Sequence, residues 1–152
     1  MPRIATDDLD RRVRLAVYRH FVERGGAPTP AELSGAVGEG PDRIAESLER
    51  LAEAHVLVLH PDTRRIWMAM PFSGIPTAFR VRTARGEWWA NCAWDALGIS
   101  AMLGTPAEVI TTCGDCGDPP PVRTTGRRLA VGAGVVHFAV PASEWWADIG
   151  FT

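Results

Sequence analysis

Apolar side chains at Leu9, Val13, Ala16, Val17 and Phe21 recur at three- and four-residue intervals between Asp7 and Arg24, the spacing of one helix face. Asp7 or Thr6 is placed to cap that helix, and Gly25-Gly26 to end it. A shorter helix follows in TPAELSGAVG, with Thr29 as its cap, Pro30 at its first position and Glu32 in its first turn. A third runs from about Pro41 to Ala54 and carries Ile44, Leu48 and Leu51 on one face. The period then becomes alternating in HVLVLHPDTRRIWMAMP, where Pro61-Asp62 marks the turn of a β-hairpin. Three helices followed by a hairpin is the winged-helix order.

From Met70 the composition changes. MPFSGIPT reads as a Pro/Gly-rich link, followed by a strand around Phe79 to Val81. Asn91 is positioned to cap a helix through Leu103, stopped by Gly104-Thr105-Pro106. Short strands are expected in GTPAEVITTC, PPPVRTTG and RRLAVGAGVVHFAVP, the last carrying His137, to which the sequence assigns no role. PASEWWADIGFT should begin a helix capped by Ser143. The expected fold class is therefore α+β. A three-helix, winged-helix-like module over residues 1–70 packs on a small mixed α/β domain with short antiparallel strands over residues 71–152.

Composition narrows the function classes. With 46% hydrophobic and 22% charged residues, the chain of 152 has the make-up of a soluble globular protein of one domain or two small ones. No apolar run approaches the ~20 residues that span a bilayer, so no membrane partner is expected. The N-terminus MPRIATDDLDRR has acidic residues and no apolar signal core, so a cytoplasmic protein is expected. The net charge is −2, and the third helix sets Arg43 and Arg50 against Asp42, Glu46, Glu49 and Glu53. A helix with more acids than bases is electrostatically wrong for a phosphate-lined groove, so nucleic acid is not an expected partner.

The chemistry concentrates in WWANCAWDALG. On a helix beginning at Asn91, Cys92 lies in the first turn, and Asp95, three residues on, shares its face. A helix N-terminus favours the thiolate, the form that attacks soft metals. A carboxylate beside it takes the thiol proton once sulfur is captured by a cation. Trp88, Trp89 and Trp94 bracket the pair and Leu97, Ala101 and Met102 continue an apolar face, surroundings that raise a carboxyl's pKa by desolvation. Taken alone, the same pair also fits a buried cysteine beside a capping aspartate, with the tryptophans as core. A second feature is CGDCGDPPP, a CxxC formed by Cys113 and Cys116. It is half of a zinc site, a turn that brings extra thiols near Cys92, or a Gly-rich turn with incidental cysteines.

Along nearly its whole length the sequence resembles the alkylmercury (organomercurial) lyase family. The likeness rests on the cysteine-x-x-aspartate helix in WWANCAWDALGISAMLG, the cysteine-bearing strand VITTCGDCG, and VVHFAVPASEWWADIGFT. The resemblance implies protonolysis of carbon–mercury bonds by residues 71–152, with Cys92 as the first mercury-binding thiolate and Asp95 as proton shuttle. It implies an organomercurial substrate, no required cofactor, Hg(II) as bound product, and small thiols or a mercuric reductase as acceptor. It also places a second mercury-binding cysteine after the stretch corresponding to EWWADIGFT, where this sequence ends at Thr152. Cys116 is the substitute the sequence offers, while Cys113 matches a cysteine of structural character in the family. The other classes that fit are a non-catalytic soft-metal binder using Cys92, Cys113 and Cys116, and a metal-sensing winged-helix regulator. The oligomeric state is not legible.

Overall fold

Residues 8–150 are described in the structure, a computed structural model. Three N-terminal helices form where the apolar spacing places them: α1 (Asp8–Arg24), α2 (Pro30–Val37) and α3 (Pro41–Glu53). The cap expected for α1 at Thr6 or Asp7 lies outside the described residues. For α2 the capping box is complete. The Glu32 amide donates to the Thr29 hydroxyl at 3.3 Å, and the Thr29 amide donates to the Glu32 carboxylate at 2.7 Å. These bonds pull the Glu32 pKa down to about 2.

Eight short strands make one antiparallel sheet in the order β1-β2-β3-β5-β4-β6-β7-β8. They are β1 (Val58–Leu59), β2 (Ile66–Ala69), β3 (Phe72–Ser73), β4 (Phe79–Thr83), β5 (Gly86–Ala90), β6 (Pro106–Ile110), β7 (Val122–Thr125) and β8 (Leu129–Val131). Helix α4 (Ala93–Leu103) connects β5 to β6 and packs on β4, β5 and β6. The fold class is α+β, as the pattern predicts. The hairpin formed by β1 and β2 joins the later strands in the same sheet, so pairing is continuous across residue 70. A single apolar cluster runs from Val13, Val17 and Phe21 of α1 through Phe72 and Trp88 to Ile99 of α4. Phe21 and Phe72 stack with ring centroids 5.2 Å apart, and the indole N–H of buried Trp88 donates to the Phe21 carbonyl at 2.7 Å.

Several local expectations give way to tertiary packing. The expected link at 70–77 contains β3, because Phe72 fills the centre of the core and its backbone pairs with both β2 and β5. The strand expected to run through His137 stops at Val131, where Gly132 and left-handed Gly134 (φ 93°) break the alternation. The segment Ala142–Ala147 is a 3₁₀ turn whose cap position is Pro141, not Ser143. Asn91 does not cap α4. Cys92 occupies that position in extended conformation (φ −149°), while the Asn91 amide is taken up elsewhere. The buried face of α4 is Ala96, Ile99 and Ser100, whereas Ala101 and Met102 are exposed. Small Ala96 and Ser100 let the helix approach the sheet. The Ser100 hydroxyl lies 2.8 Å from the Thr105 carbonyl and 3.0 Å from the Gly126 carbonyl, and contacts the Thr124 hydroxyl.

Two features give stability predictions. Asp10 is 4% exposed and accepts from Ser47 at 2.6 Å and from Arg50 at 2.7 and 3.1 Å. The Arg50 guanidinium, above all, holds its carboxyl below the ordinary 3.8 despite burial. Asp10→Asn is expected to cost about 1–3 kcal/mol at pH 7, less than a fully buried pair because Arg50 is 42% exposed. A depressed carboxyl contributes stability above its unfolded pKa and loses it as pH falls through the folded value. The difference between wild type and variant in urea unfolding should therefore shrink below about pH 4. The second feature is Gly74, where a Cβ would collide with the Ile66 carbonyl and crowd Ala27 Cβ at 3.1 Å. Gly74→Ala should cost about 1–3 kcal/mol. Gly26→Ala, into open space, should stay within about 0.5 kcal/mol in the same unfolding experiment.

Candidate functional site

Strand β5 ends at Ala90, and the chain turns through Asn91 and Cys92 into α4, so the thiol stands at the junction of sheet and helix. The Cys92 carbonyl accepts the first helical bond, from Ala96 N–H at 2.9 Å. Asp95 is the third residue of α4. The Asn91 side-chain amide donates to Asp95 Oδ2 at 2.9 Å and to the Phe72 carbonyl at 3.2 Å. Two acceptors around one nitrogen fix the amide's orientation, and Asn91 thereby positions the carboxylate. Asn91 Oδ1 is buried without a hydrogen-bond partner among the described residues.

Burial controls the electrostatics. Desolvation pushes the Asp95 carboxyl above its ordinary 3.8, against the Asn91 hydrogen bond that favours the anion. Desolvation likewise pushes the Cys92 thiol above 9.0; the Asp95 amide opposes this, the Asp95 charge adds to it, and the Trp94 amide opposes it. The expected thiolate-favouring helix N-terminus is thus outweighed. Those amides act without forming a side-chain capping hydrogen bond to the sulfur. The outcome is a protonated thiol beside a carboxyl that binds a proton more readily than usual.

The tryptophans divide. Trp88 is core, Trp89 is half-buried with the Arg80 guanidinium 5.8 Å from its ring centroid, and Trp94 is 69% exposed. They do not form the expected wall around the pair. What surrounds it comes from elsewhere. Tyr18 of α1 donates to the Met70 carbonyl at 3.0 Å, and its phenol, raised chiefly by burial, also feels the Asp95 charge. Cys92 lines a cavity of about 260 Å³, with Phe79, Asn91 and Ala93 on its own side. Residues 136–140, including His137, and Trp145 line it from the other; Asp95 lies outside this lining. Asn91, four residues before Asp95, could have been found from helical spacing. Tyr18, His137 and Trp145 reach the site only through tertiary structure.

Cys113 and Cys116 sit on the turn that follows β6, outside the Cys92 cavity. Cys113 is half-buried and Cys116 exposed, and all three thiols are free. The amides of Cys116 and Asp115 and the Cys116 thiol lie against the Cys113 sulfur and lower its pKa. Among the described residues no group of three or more His, Cys, Asp or Glu is placed to hold a metal ion. The structure therefore brings Cys92 to Asp95 and Cys113 to Cys116, but does not join the two pairs in one cluster.

The sequence profile of the alkylmercury lyase family (MerB) matches residues 72–152, more than half of the chain. This chain belongs to the alkylmercury lyase family. No curated protein matches the sequence. Among solved structures, the crystal structure of the mercury-bound form of MerB2 is similar in fold, with a TM-score of 0.63 at 22% identity. That likeness covers 83% of this chain and 60% of the MerB2 chain, so this chain spans less than two thirds of that structure's length. The matched family region contains Cys92, Asp95, Cys113 and Cys116. No helix among the described residues is long and apolar enough to cross a membrane.

Proposed function

We propose that the chain cleaves carbon–mercury bonds by protonolysis, releasing a hydrocarbon and Hg(II). The observation that carries this reading is the Cys92–Asp95 pair at the start of α4, both residues half-buried, with Cys92 lining a cavity. Family membership agrees with it. In the first step Cys92 sulfur bonds to the mercury of an organomercurial thiolate, the original thiolate leaves, and the Cys92 proton passes to the Asp95 carboxylate. In the second, that proton goes to the carbon, the carbon–mercury bond breaks, and Asp95 is again a carboxylate. Charge and atoms balance without a redox partner. Soft Hg(II) favours sulfur, and electron donation from thiolate makes the bound carbon basic enough to protonate. A carbanion leaving unassisted would be far too basic, hence the need for an acid held nearby.

Asn91 orients Asp95, and burial stores the proton by raising the carboxyl's pKa. Free thiols complete the coordination of Hg(II) and carry it away, to a mercuric reductase where one is present. The N-terminal helices cover the core instead of reading DNA. On α3, Arg43 pairs with Glu39 at 2.8 Å and Arg50 with Asp10 at 2.7 Å, so both bases are already engaged. The test is incubation with methylmercury or phenylmercury and excess thiol. Methane or benzene above a protein-free blank supports the lyase; tight mercury binding without hydrocarbon replaces it with a soft-metal binder.

A further inference from the structure

We propose that the Cys113–Cys116 turn is a second, two-thiolate site that accepts inorganic Hg(II) and draws the product away from Cys92. The role as product acceptor rests on the lyase reading; the existence of the site does not.

The turn is closed at both ends by its own backbone. Cys113 N–H donates to the Asp118 carbonyl at 2.8 Å, and Gly117 N–H donates to the Cys113 carbonyl at 3.0 Å. Gly117 adopts a left-handed conformation (φ 77°), which a side chain would strain, and this reversal folds the chain back immediately after Cys116. The turn thereby carries both cysteines on one chain reversal, with the amides of Asp115 and Cys116 and the Cys116 thiol within electrostatic reach of the Cys113 sulfur. Amides aimed at sulfur compensate the negative charge of a bound thiolate, as they do at other metal–thiolate centres.

The donor count selects the metal. Zinc in a structural site needs four ligands, and no third His, Cys, Asp or Glu among the described residues completes a cluster here. Hg(II) is soft and satisfied by two thiolates, so a lone dithiol is sufficient for it. Chelation by two sulfurs on one turn also competes well with free monothiols, because the second bond forms at high effective concentration.

Position favours transfer. Strand β4 lies between β5 and β6, with Phe79 opposite Ala90 and Arg80 opposite Ile110. Cys92 follows the end of β5 and Cys113 follows the end of β6, and both strands run antiparallel to β4, so the two chains leave the sheet at the same end. Cys116 is exposed there, open to a mercury-bearing thiol. The exchange balances: mercury bridging Cys92 sulfur and a small thiolate passes to the two sulfurs of the turn, and their two protons go to Cys92 and the small thiol. No electrons are transferred.

The experiment uses reduced full-length chain, mercuric chloride and excess glutathione, with mercury per chain measured after desalting. Cys92→Ser should retain one mercury per chain, and adding Cys116→Ser to it should lower retention at least about tenfold. With half an equivalent of mercuric chloride on the wild type, peptide mapping should place mercury on the Cys113–Cys116 peptide. Equal loss of mercury from the single and double variants would overturn the site, and mapping to the Cys92 peptide would overturn the transfer. Both readouts use inorganic mercury, so a failure to release hydrocarbon from phenylmercury would count against the lyase reading alone.

Discussion

Cys92→Ser is expected to abolish carbon–mercury cleavage, lowering turnover by at least about 10³-fold. A serine hydroxyl stays protonated and hard, so it neither captures mercury nor makes the bound carbon basic. The loss should not come from unfolding. Cys92 holds the cap position of α4 through its backbone, with no side-chain capping bond, and its side chain is only partly buried. The urea midpoint should therefore move by no more than the equivalent of about 0.5 kcal/mol. Hydrocarbon release measured beside urea unfolding separates the two effects. Turnover near wild type in Cys92→Ser would remove this thiol from the mechanism.

Asp95→Asn should separate capture from cleavage. The amide matches the carboxylate in shape but cannot take the Cys92 proton or return it to carbon, a loss of about 10²–10⁴-fold in rate for a positioned acid. Phenylmercury should still bind at one per chain through Cys92. Stability should move the opposite way to activity. A carboxyl raised by burial makes the folded state bind its proton more tightly than the unfolded chain does. Wild type then loses stability as pH rises from the ordinary 3.8 through the folded value, and the deficit persists above it. Asparagine has no such ionisation, so at pH 7 the variant should be as stable as wild type or more so. The pH–rate profile follows from the same pair. Between the raised Asp95 value and the raised Cys92 value the two groups share one proton, which is what the reaction uses. Activity should fall in alkali as the thiol ionises and the proton is lost, at a pH above the ordinary 9.0 of a cysteine.

Helical spacing located α1 and α3 to within a residue or two, because one face of each is buried by the same repeat that defines it, and α2 was located by its Thr29 cap and Pro30. The hairpin was equally plain, with alternation and a Pro-Asp turn agreeing. Sequence reasoning failed where long-range packing overrode local signals. Phe72, beside Pro71 and Gly74, reads as a link but is gripped by Phe21 and two strands. Trp94 reads as part of an apolar wall but falls on the outer side of α4. In the candidate site, the Cys92–Asp95 juxtaposition was legible because a single helical turn creates it. Asn91's hold on Asp95 was also within reach of that spacing, though the residue first reads as a cap. Tyr18 and His137 were not, since Tyr18 comes within reach of the Asp95 charge, and His137 lines the Cys92 cavity, only through tertiary structure.

The most direct test of the Cys92–Asp95 pair is a single turnover of phenylmercury in D₂O with excess thiol, followed by mass analysis of the released benzene. The account predicts benzene carrying one deuterium from the wild type, delivered from Asp95 after exchange, and none above the blank from Cys92→Ser. Asp95→Asn should hold the phenylmercury and release benzene only at its much lower rate. Fully mercurated wild-type protein that yields no benzene, or Asp95→Asn that yields it at the wild-type rate, would contradict the account.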